Sequence, residues 1–490
     1  MLKISYSLGH SVLAFVVFAG YGVPSLSAME NAPPNIVLVY IDDAGYADFP
    51  FYSDDHPRTP HIDQLCREGI RFTQFYVNAP ICSPSRVAIT TGQFPARWDV
   101  TTFIASRQEN ANRGIRDWLD PAAPSLARML KSSGYATGHF GKWHLGGGRD
   151  VGEAPLISEY GFDESLTQFE GLGDRILPLL NDYDGTRPRR MPLGRASAQL
   201  GRGEVEWVDR NKQTQRYVRR AIEFIQDANE RGKPFYVNVW PDDVHTPLHP
   251  PKRLRGDGSK RELYLGVLEN MDRHLGDLFD FIHEDESLRS NTLILVASDN
   301  GFEPGAGAAG ELRGSKGALY EGGIRVPFIV WGPGVVDAAA AGTTNDATVV
   351  SSVDVVKSLL EVTGAEQPQD MVLDGEDLSE TLLGRKTRVR TTPLFWNRPP
   401  DRPGPPAAKL PDLAIREGHW KLLVEFDGSD PQLFDVKTDP VERVNLADDH
   451  AKVVESLRSK VLAWHNDVTR SSAKMTTSLT TQPSPQDSQP

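Results

Sequence analysis

Four stretches of the chain are continuously apolar over the length of a short strand: Asn35 to Ile41, Phe235 to Trp240, Thr292 to Ser298 and Val326 to Trp331. Runs without polar alternation predict strands covered on both faces, as in a largely parallel sheet. Between them the period changes. Val218, Ala221, Ile222 and Ile225 share one helical face, and so do Tyr264, Leu268, Met271, Leu275, Leu278 and Ile282. Thr59-Pro60 reads as a helix cap followed by proline at the first helical position. Strands alternating with helices predict a large α/β domain, here over 29–384. Beyond Gly384 come short candidate strands around Leu394, Leu422 and Leu433, then a helix through Val454, Leu457, Val461 and Trp464. That pattern predicts a smaller α+β subdomain over 385–470. The Arg- and Gly-rich stretch Thr186 to Gly203 reads as a long loop. Residues 471–490 hold few core formers and read as a disordered tail.

A chain of 490 residues exceeds one ordinary core, which agrees with two units. The formal net charge of -13 excludes a general nucleic-acid binder, which needs a basic footprint. Lys3, the apolar run Val12 to Gly22 and small residues at Ser25-Leu26-Ser27-Ala28 predict a cleaved leader over 1–28. The run is too short to span a bilayer and no later stretch is apolar enough, so no stable membrane span is expected. The predicted location is exported, periplasmic or extracellular. No Asn begins an Asn-x-Ser/Thr triplet, which favours a bacterial source. Of the two cysteines, Cys66 falls on the stripe Ile62, Leu65, Cys66 and reads as core. A Cys66–Cys82 disulfide is the alternative.

Chemistry-bearing residues cluster at the ends of the apolar runs. Asp42-Asp43 follow the first run and Asp299-Asn300 follow the third. Ligands gather beyond the carboxyl ends of strands in α/β sheets, and adjacent carboxylates there need a cation. Each pair alone is more often a turn or a helix cap; the matched placement reverses that balance in favour of a hard cation, Ca²⁺ or Mg²⁺. Cys82-Ser-Pro-Ser-Arg86 leads into a segment ending at Gly92, which predicts a short helix with Cys82 at its anion-favouring N-terminus. Lys142 and His144 are two apart, so in extended backbone they would share a side. His139 reads as structural. His245 sits in a loop past another strand end, and glycines flank Lys316.

These segments, in this order, resemble the sulfatase family, a branch of the alkaline-phosphatase-like superfamily. Residues 82–92 match the signature Cys-x-Pro-Ser-Arg-x-x-Leu-x-Thr-Gly except for Ile89 at the leucine position. Residues 134–146 match Gly-Tyr-x-Thr-x-x-x-Gly-Lys-Trp-His-Leu-Gly. Tyr160-Gly-Phe-Asp163, Ser298-Asp-Asn-Gly301, Arg416-x-Gly-x-Trp420-Lys421-Leu422 and Leu433-Phe-Asp435 fall into line as well. One departure stands out: the family commonly shows Ala-Pro-His-x-Pro, and this chain has Asp243-Val244-His245. The resemblance implies a large mixed sheet sandwiched by helices with a smaller C-terminal α+β subdomain. It implies that a formylglycine-generating enzyme converts Cys82 to formylglycine, whose hydrate attacks the sulfate ester. Asp42, Asp43, Asp299, Asn300 and the modified Cys82 would hold Ca²⁺, with Mg²⁺ as a substitute. Arg86 would hold the hydrate and carboxylates, Lys142 and Lys316 the sulfate oxygens. His245 would protonate the leaving group and His144 would deprotonate the hydrate. Rival readings are a phosphodiesterase or phosphonate monoester hydrolase, and an unconverted protein that binds sulfated glycans. For a sulfated saccharide or small-molecule substrate, candidate contacts are Arg187, Arg189, Arg190 and Arg195, and Trp396, Arg398 and Arg402, with Trp396 stacking on the sugar.

Overall fold

The computed structural model describes residues 32–52, 59–180, 188–399 and 410–480, of which 470–480 as backbone only. The leader, Arg187, Arg402 and residues 481–490 lie outside the described residues. Each of the four apolar runs forms a strand. In chain order the strands are β1 (Asn35–Ile41), β2 (Ile70–Tyr76), β3 (Ala136–Gly141), β4 (Glu164–Thr167), β5 (Arg175–Leu180), β6 (Arg189–Arg190), β7 (Val205–Asp209) and β8 (Phe235–Trp240). They continue with β9 (Thr292–Ser298), β10 (Arg325–Trp331), β11 (Thr344–Asn345) and β12 (Val350–Ser351). The small C-terminal set is β13 (Leu394–Asn397), β14 (Leu413–Glu417), β15 (Trp420–Val424) and β16 (Gln432–Asp435).

Among the described residues twelve strands make one sheet in the order β11-β2-β10-β9-β1-β8-β3-β4-β5-β6, with β12 beside β2 and β7 beside β5. At its centre β9, β1, β8 and β3 run parallel, whereas β10 is antiparallel to β9 and to β2. Parallel neighbours put the tips of β1, β3, β8 and β9 on one rim. Alternation divides the core in two. Ile36, Leu38 and Tyr40 pack with Val87, Ile89, Leu126 and Leu359 on one face. Val37, Val39 and Ile41 pack with Tyr217, Leu268, Met271 and Leu275 on the other. Helices therefore cover both faces, which is why these strands carry no polar alternation. Helix Cys82–Thr91 ends at Gly92, whose φ of +69° and Cβ-to-Val356 approach of 3.0 Å both demand glycine.

The small antiparallel sheet has the order β13-β14-β15-β16. One face packs on the helix Ala451–Thr480 through Leu413, Ile415, Leu422 and Leu433 against Val454, Leu457, Val461 and Trp464. Its other face, with Trp396, Ala414, Leu423 and Phe434, joins the core of the large sheet. Two expectations fail here. The stretch Thr186 to Gly203 is not a loop throughout: it contains β6 and the helix Pro192–Gln199, started by proline at its first position. The terminal helix also runs ten residues past 470, to Thr480, because extending a formed helix costs little once it is nucleated. Cys66 is buried as expected, and both cysteines are free, so no disulfide joins them. Among the described residues no helix is long and apolar enough to cross a membrane.

Candidate active site

The rim where β1 and β9 end brings Asp42, Asp43, Asp299 and Asn300 together, all 0% exposed. Carboxylate oxygens of Asp42, Asp43 and Asp299 lie within 4.8 Å of one another. The chain reverses there: Asp43 takes a φ of +61°, and its N–H donates to Asp299 Oδ1 at 3.1 Å. Three cations reach in from other elements. Lys142 Nζ donates to Asp42 Oδ2 at 2.6 Å, and Lys316 Nζ to Asp43 Oδ2 at 2.6 Å. Arg86, one turn along the Cys82 helix, donates to Asp299 Oδ2 at 2.8 Å and to the Lys142 carbonyl at 2.9 Å. Its guanidinium stacks 5.2 Å from the Trp240 ring, at the tip of β8. One arginine thus ties four elements.

Two buried oxygens in this group accept no hydrogen bond: Asp42 Oδ1, which lies 3.3 Å from Arg86 without alignment, and Asn300 Oδ1. Unpartnered buried acceptors are costly and rare. An all-oxygen donor set with two unused acceptors fits a hard divalent cation. The electrostatics agree. Burial and the neighbouring Asp42 push Asp299 well above the usual carboxylate range. For Asp42 burial works in the same direction but is overcome by Lys142, His245 and Arg86, which hold it well below that range. Three carboxylates this close cannot all ionise without added positive charge.

Cys82 stands beside this group at the start of a fully buried helix. Burial pushes its thiol up to about 11 despite Lys142 and Lys316, so it stays protonated at neutral pH. A cavity of about 170 Å³ opens on Cys82, Lys142, His144, His245 and Lys316. Lys142 and His144 do not share an extended strand as expected: β3 stops at Gly141, and His144 has a φ of +55°. The backbone turn nevertheless delivers both side chains to the cavity. His144 Nε2 sits 3.0 Å from the Ile104 carbonyl and 3.1 Å from Glu170 Oε2, both acceptors, so it carries the proton and leaves Nδ1 without a partner. His245 Nδ1 contacts the Thr246 carbonyl at 2.7 Å, and Nε2 lies 3.8 Å from Asp43 Oδ2. Burial, then Lys142 and Lys316, lower its affinity for a proton.

Side chains fix the loop that carries His245, in which Val244 stands where the resembled motif has proline. Arg210 bonds Asp242 Oδ2 at 2.7 Å and the His245 carbonyl at 3.2 Å, while Thr214 bonds Asp243. Arg210, Asp242, Arg149 and Glu170 all line the cavity and went unnoticed in the sequence. Arg149 pairs with Glu170 at 3.2 Å. No local pattern signals such pairs, because tertiary contact alone unites them. His139, read as structural, is buried edge-on against Trp143 and Trp240.

The proposed sugar contacts fall elsewhere. Trp396 is 0% exposed, on β13 rather than in a loop, and its indole donates to the Val77 carbonyl at 2.6 Å. It cannot stack on a substrate. Arg398 pairs with Asp412 at 3.0 Å and does not line the cavity. Arg189, Arg190 and Arg195 are exposed and do not line it either; from their segment Met191 and Leu193 do.

The Sulfatase family model matches residues 34–365, and that of the N-sulphoglucosamine sulphohydrolase C-terminal region matches 314–467. Bovine arylsulfatase A is 30% identical over 449 residues, covering 85% of this chain and 84% of that protein. An N-acetylgalactosamine-6-O-sulfatase of Bacteroides thetaiotaomicron is 28% identical, covering 88% of this chain and 93% of that protein. The crystal structure of Ps i-CgsB in complex with k-i-k-neocarrahexaose superposes with a TM-score of 0.71 at 25% identity, over 88% of this chain and 93% of that one. The PsFucS1 sulfatase from Pseudoalteromonas sp. shares the fold at a TM-score of 0.70 and 24% identity, over 91% and 92% of the two chains.

Proposed function

The chain belongs to the sulfatase family and is a sulfuric ester hydrolase, and from that premise we propose that it cleaves sulfate monoesters of saccharides with a formylglycine made from Cys82 and a bound Ca²⁺. The observation that carries the reading is the meeting of Cys82, three carboxylates and two lysines at one small cavity. The saccharide assignment draws on the glycan sulfatase among its relatives and the neocarrahexaose complex among its structural neighbours.

Each residue has a task, and only that of His245 runs against its surroundings, since burial, Lys142 and Lys316 disfavour its protonated form. A thiol held protonated is a poor nucleophile, and a sulfated thiol has no simple way to release sulfate. A hydrated aldehyde at position 82 supplies two hydroxyls on one carbon, one to take the sulfuryl group and one whose deprotonation expels sulfate and restores the aldehyde. Asp42, Asp43, Asp299 and Asn300 would hold the cation, with Mg²⁺ as a substitute; when bound, it supplies fixed positive charge beside the reacting sulfate. Lys142 and Lys316 exchange their carboxylate partners for sulfate oxygens as charge develops there. His144, with Nδ1 free, accepts a proton; His245 donates one to the departing oxygen. Arg86 keeps the carboxylates in register. Conversion of Cys82 requires a formylglycine-generating enzyme, and the leader over 1–28 directs export to periplasm or exterior. The catalytic unit spans 29–384, and the subdomain runs from 385 through the terminal helix, which ends at Thr480.

Cys82→Ala should abolish turnover of aryl sulfates and leave the thermal midpoint unchanged. Retained turnover in that variant overturns the nucleophile. The mass of the residue-82 peptide checks conversion, and a side-by-side rate comparison on aryl sulfate and phosphodiester substrates separates sulfatase from phosphodiesterase activity.

A further inference from the structure

A second buried charge cluster lies under the small C-terminal sheet. Lys421, on β15 and 0% exposed, places Nζ 2.9 Å from Glu321 Oε1 and 2.9 Å from Glu442 Oε1. Glu442 Oε2 accepts the backbone N–H of Glu321 at 2.7 Å, and Glu321 Oε2 accepts from Tyr76 at 2.6 Å. Arg325 lies 3.5 Å from the same oxygen. None of these side chains reaches the cavity, yet an anchored lysine between two carboxylates is expensive to bury without a purpose.

The cluster pins the backbone on which the Lys316 segment rests. Gly322, next to Glu321, donates to the Arg313 carbonyl at 2.7 Å. A Cβ on Gly322 would meet the Gly314 oxygen at 2.5 Å, and one on Gly323 would meet the Ala318 oxygen at 2.0 Å. The segment carrying Lys316 therefore lies directly on Gly322-Gly323 with no room for a methyl group. Arg313 in turn donates to the Glu442 carbonyl at 3.1 Å. From the other side Lys316 N–H donates to the Phe302 carbonyl at 3.1 Å, and Gly317 N–H to the Pro80 carbonyl at 2.8 Å, just before Cys82.

We propose that Lys421 and Glu442 are positioning residues that aim Lys316 at the reacting sulfate, so that the C-terminal sheet completes the active site from behind. The inference rests on Lys316 gripping sulfate oxygens. Misplacing a catalytic group by about 1 Å costs on the order of 100-fold in rate.

The test compares Lys421→Met, Lys421→Arg, Lys316→Ala and the double variant Lys316→Ala/Lys421→Met in the full chain. Two quantities are read: kcat/KM on an aryl sulfate, and the rise in thermal midpoint on adding inorganic sulfate, which needs no turnover. Lys421→Met should lower kcat/KM about 10–100-fold and weaken sulfate binding, with Lys421→Arg restoring part of both. Adding Lys421→Met to Lys316→Ala should change neither further. Unchanged sulfate binding and kcat/KM in folded Lys421→Met overturn the proposal, as do losses that multiply in the double variant. If Lys316→Ala alone leaves both readouts intact, the sulfate-gripping role of Lys316 fails and the inference falls with it. Should Lys421→Met not fold, Lys421→Met/Glu442→Gln keeps the net charge, and the same outcomes decide.

Discussion

Two of the buried groups of charge among the described residues are built differently. At the strand tips Lys142, Lys316 and Arg86 face three carboxylates that border a cavity, with Asp42 Oδ1 and Asn300 Oδ1 unpartnered. Under the small sheet Lys421, Glu321, Glu442 and Tyr76 face one another. The first group is unfinished without a ligand. The second also has an acceptor without an aligned donor, Glu442 Oε1, but Lys421 Nζ lies 2.9 Å from it and none of these side chains lines the cavity. Buried charge by itself therefore does not mark an active site; unused acceptors beside a cavity do.

The sharpest way to break this comparison is at the cavity. His245→Ala should slow alkyl sulfates by about 10²–10⁴-fold and nitrophenyl sulfate far less, because a good leaving group needs no acid. Equal losses on both substrates would remove His245 as the acid. Stability should respond in the opposite sense. Lys421→Met strands two carboxylates and should cost about 3–5 kcal/mol in urea denaturation. Asp299→Asn should cost the metal-free protein no more than about 1 kcal/mol, since burial and Asp42 already disfavour its charge. Calcium at a hundredfold excess over its dissociation constant should stabilise the unmodified sequence by about 2.7 kcal/mol and leave Asp299→Asn unaffected. A calcium response that survives in Asp299→Asn would place the ion elsewhere.

A pH-dependent effect concerns the aromatic floor beneath the tips. Burial and Arg86 push His139 down to about 3, against an ordinary value of 6.5. Above 6.5 the folded and unfolded chains are both neutral at this residue. As pH falls below 6.5 only the unfolded chain takes the proton, so stability drops by up to about 1.4 kcal/mol per pH unit until about 3. His139→Gln should lose less stability than the parent between pH 6 and pH 4, and an identical slope would deny the histidine this role.

Much of this architecture was legible because its signals are local. The apolar runs ending in Asp42-Asp43 and Asp299-Asn300 name both the strands and the rim on which their acids sit. Cys82 at a helix start and Gly92 at its end are equally local. Lys142 and His144 reached the cavity by a left-handed turn at His144 rather than by shared extended geometry. Trp396 misled for the opposite reason: a four-residue strand shows too little period to reveal that its indole faces a core. The pairs Arg149–Glu170 and Arg210–Asp242 join residues far apart in the chain, so no window of sequence contains them.

The wall of the cavity made by Met191 and Leu193 stands beside β5 and β6 on the helix Pro192–Gln199, packed with Phe169, Leu177 and Trp207. Among the described residues, none of this small cluster belongs to the group of carboxylates at the strand tips. Substitutions at Met191 and Leu193 would therefore change the outline of the cavity while leaving Cys82, Lys142 and Lys316 as they are, which separates the shape of the cavity from its charge. Exchanging 188–200 would rebuild one side of the cavity without replacing a single residue of the acidic rim.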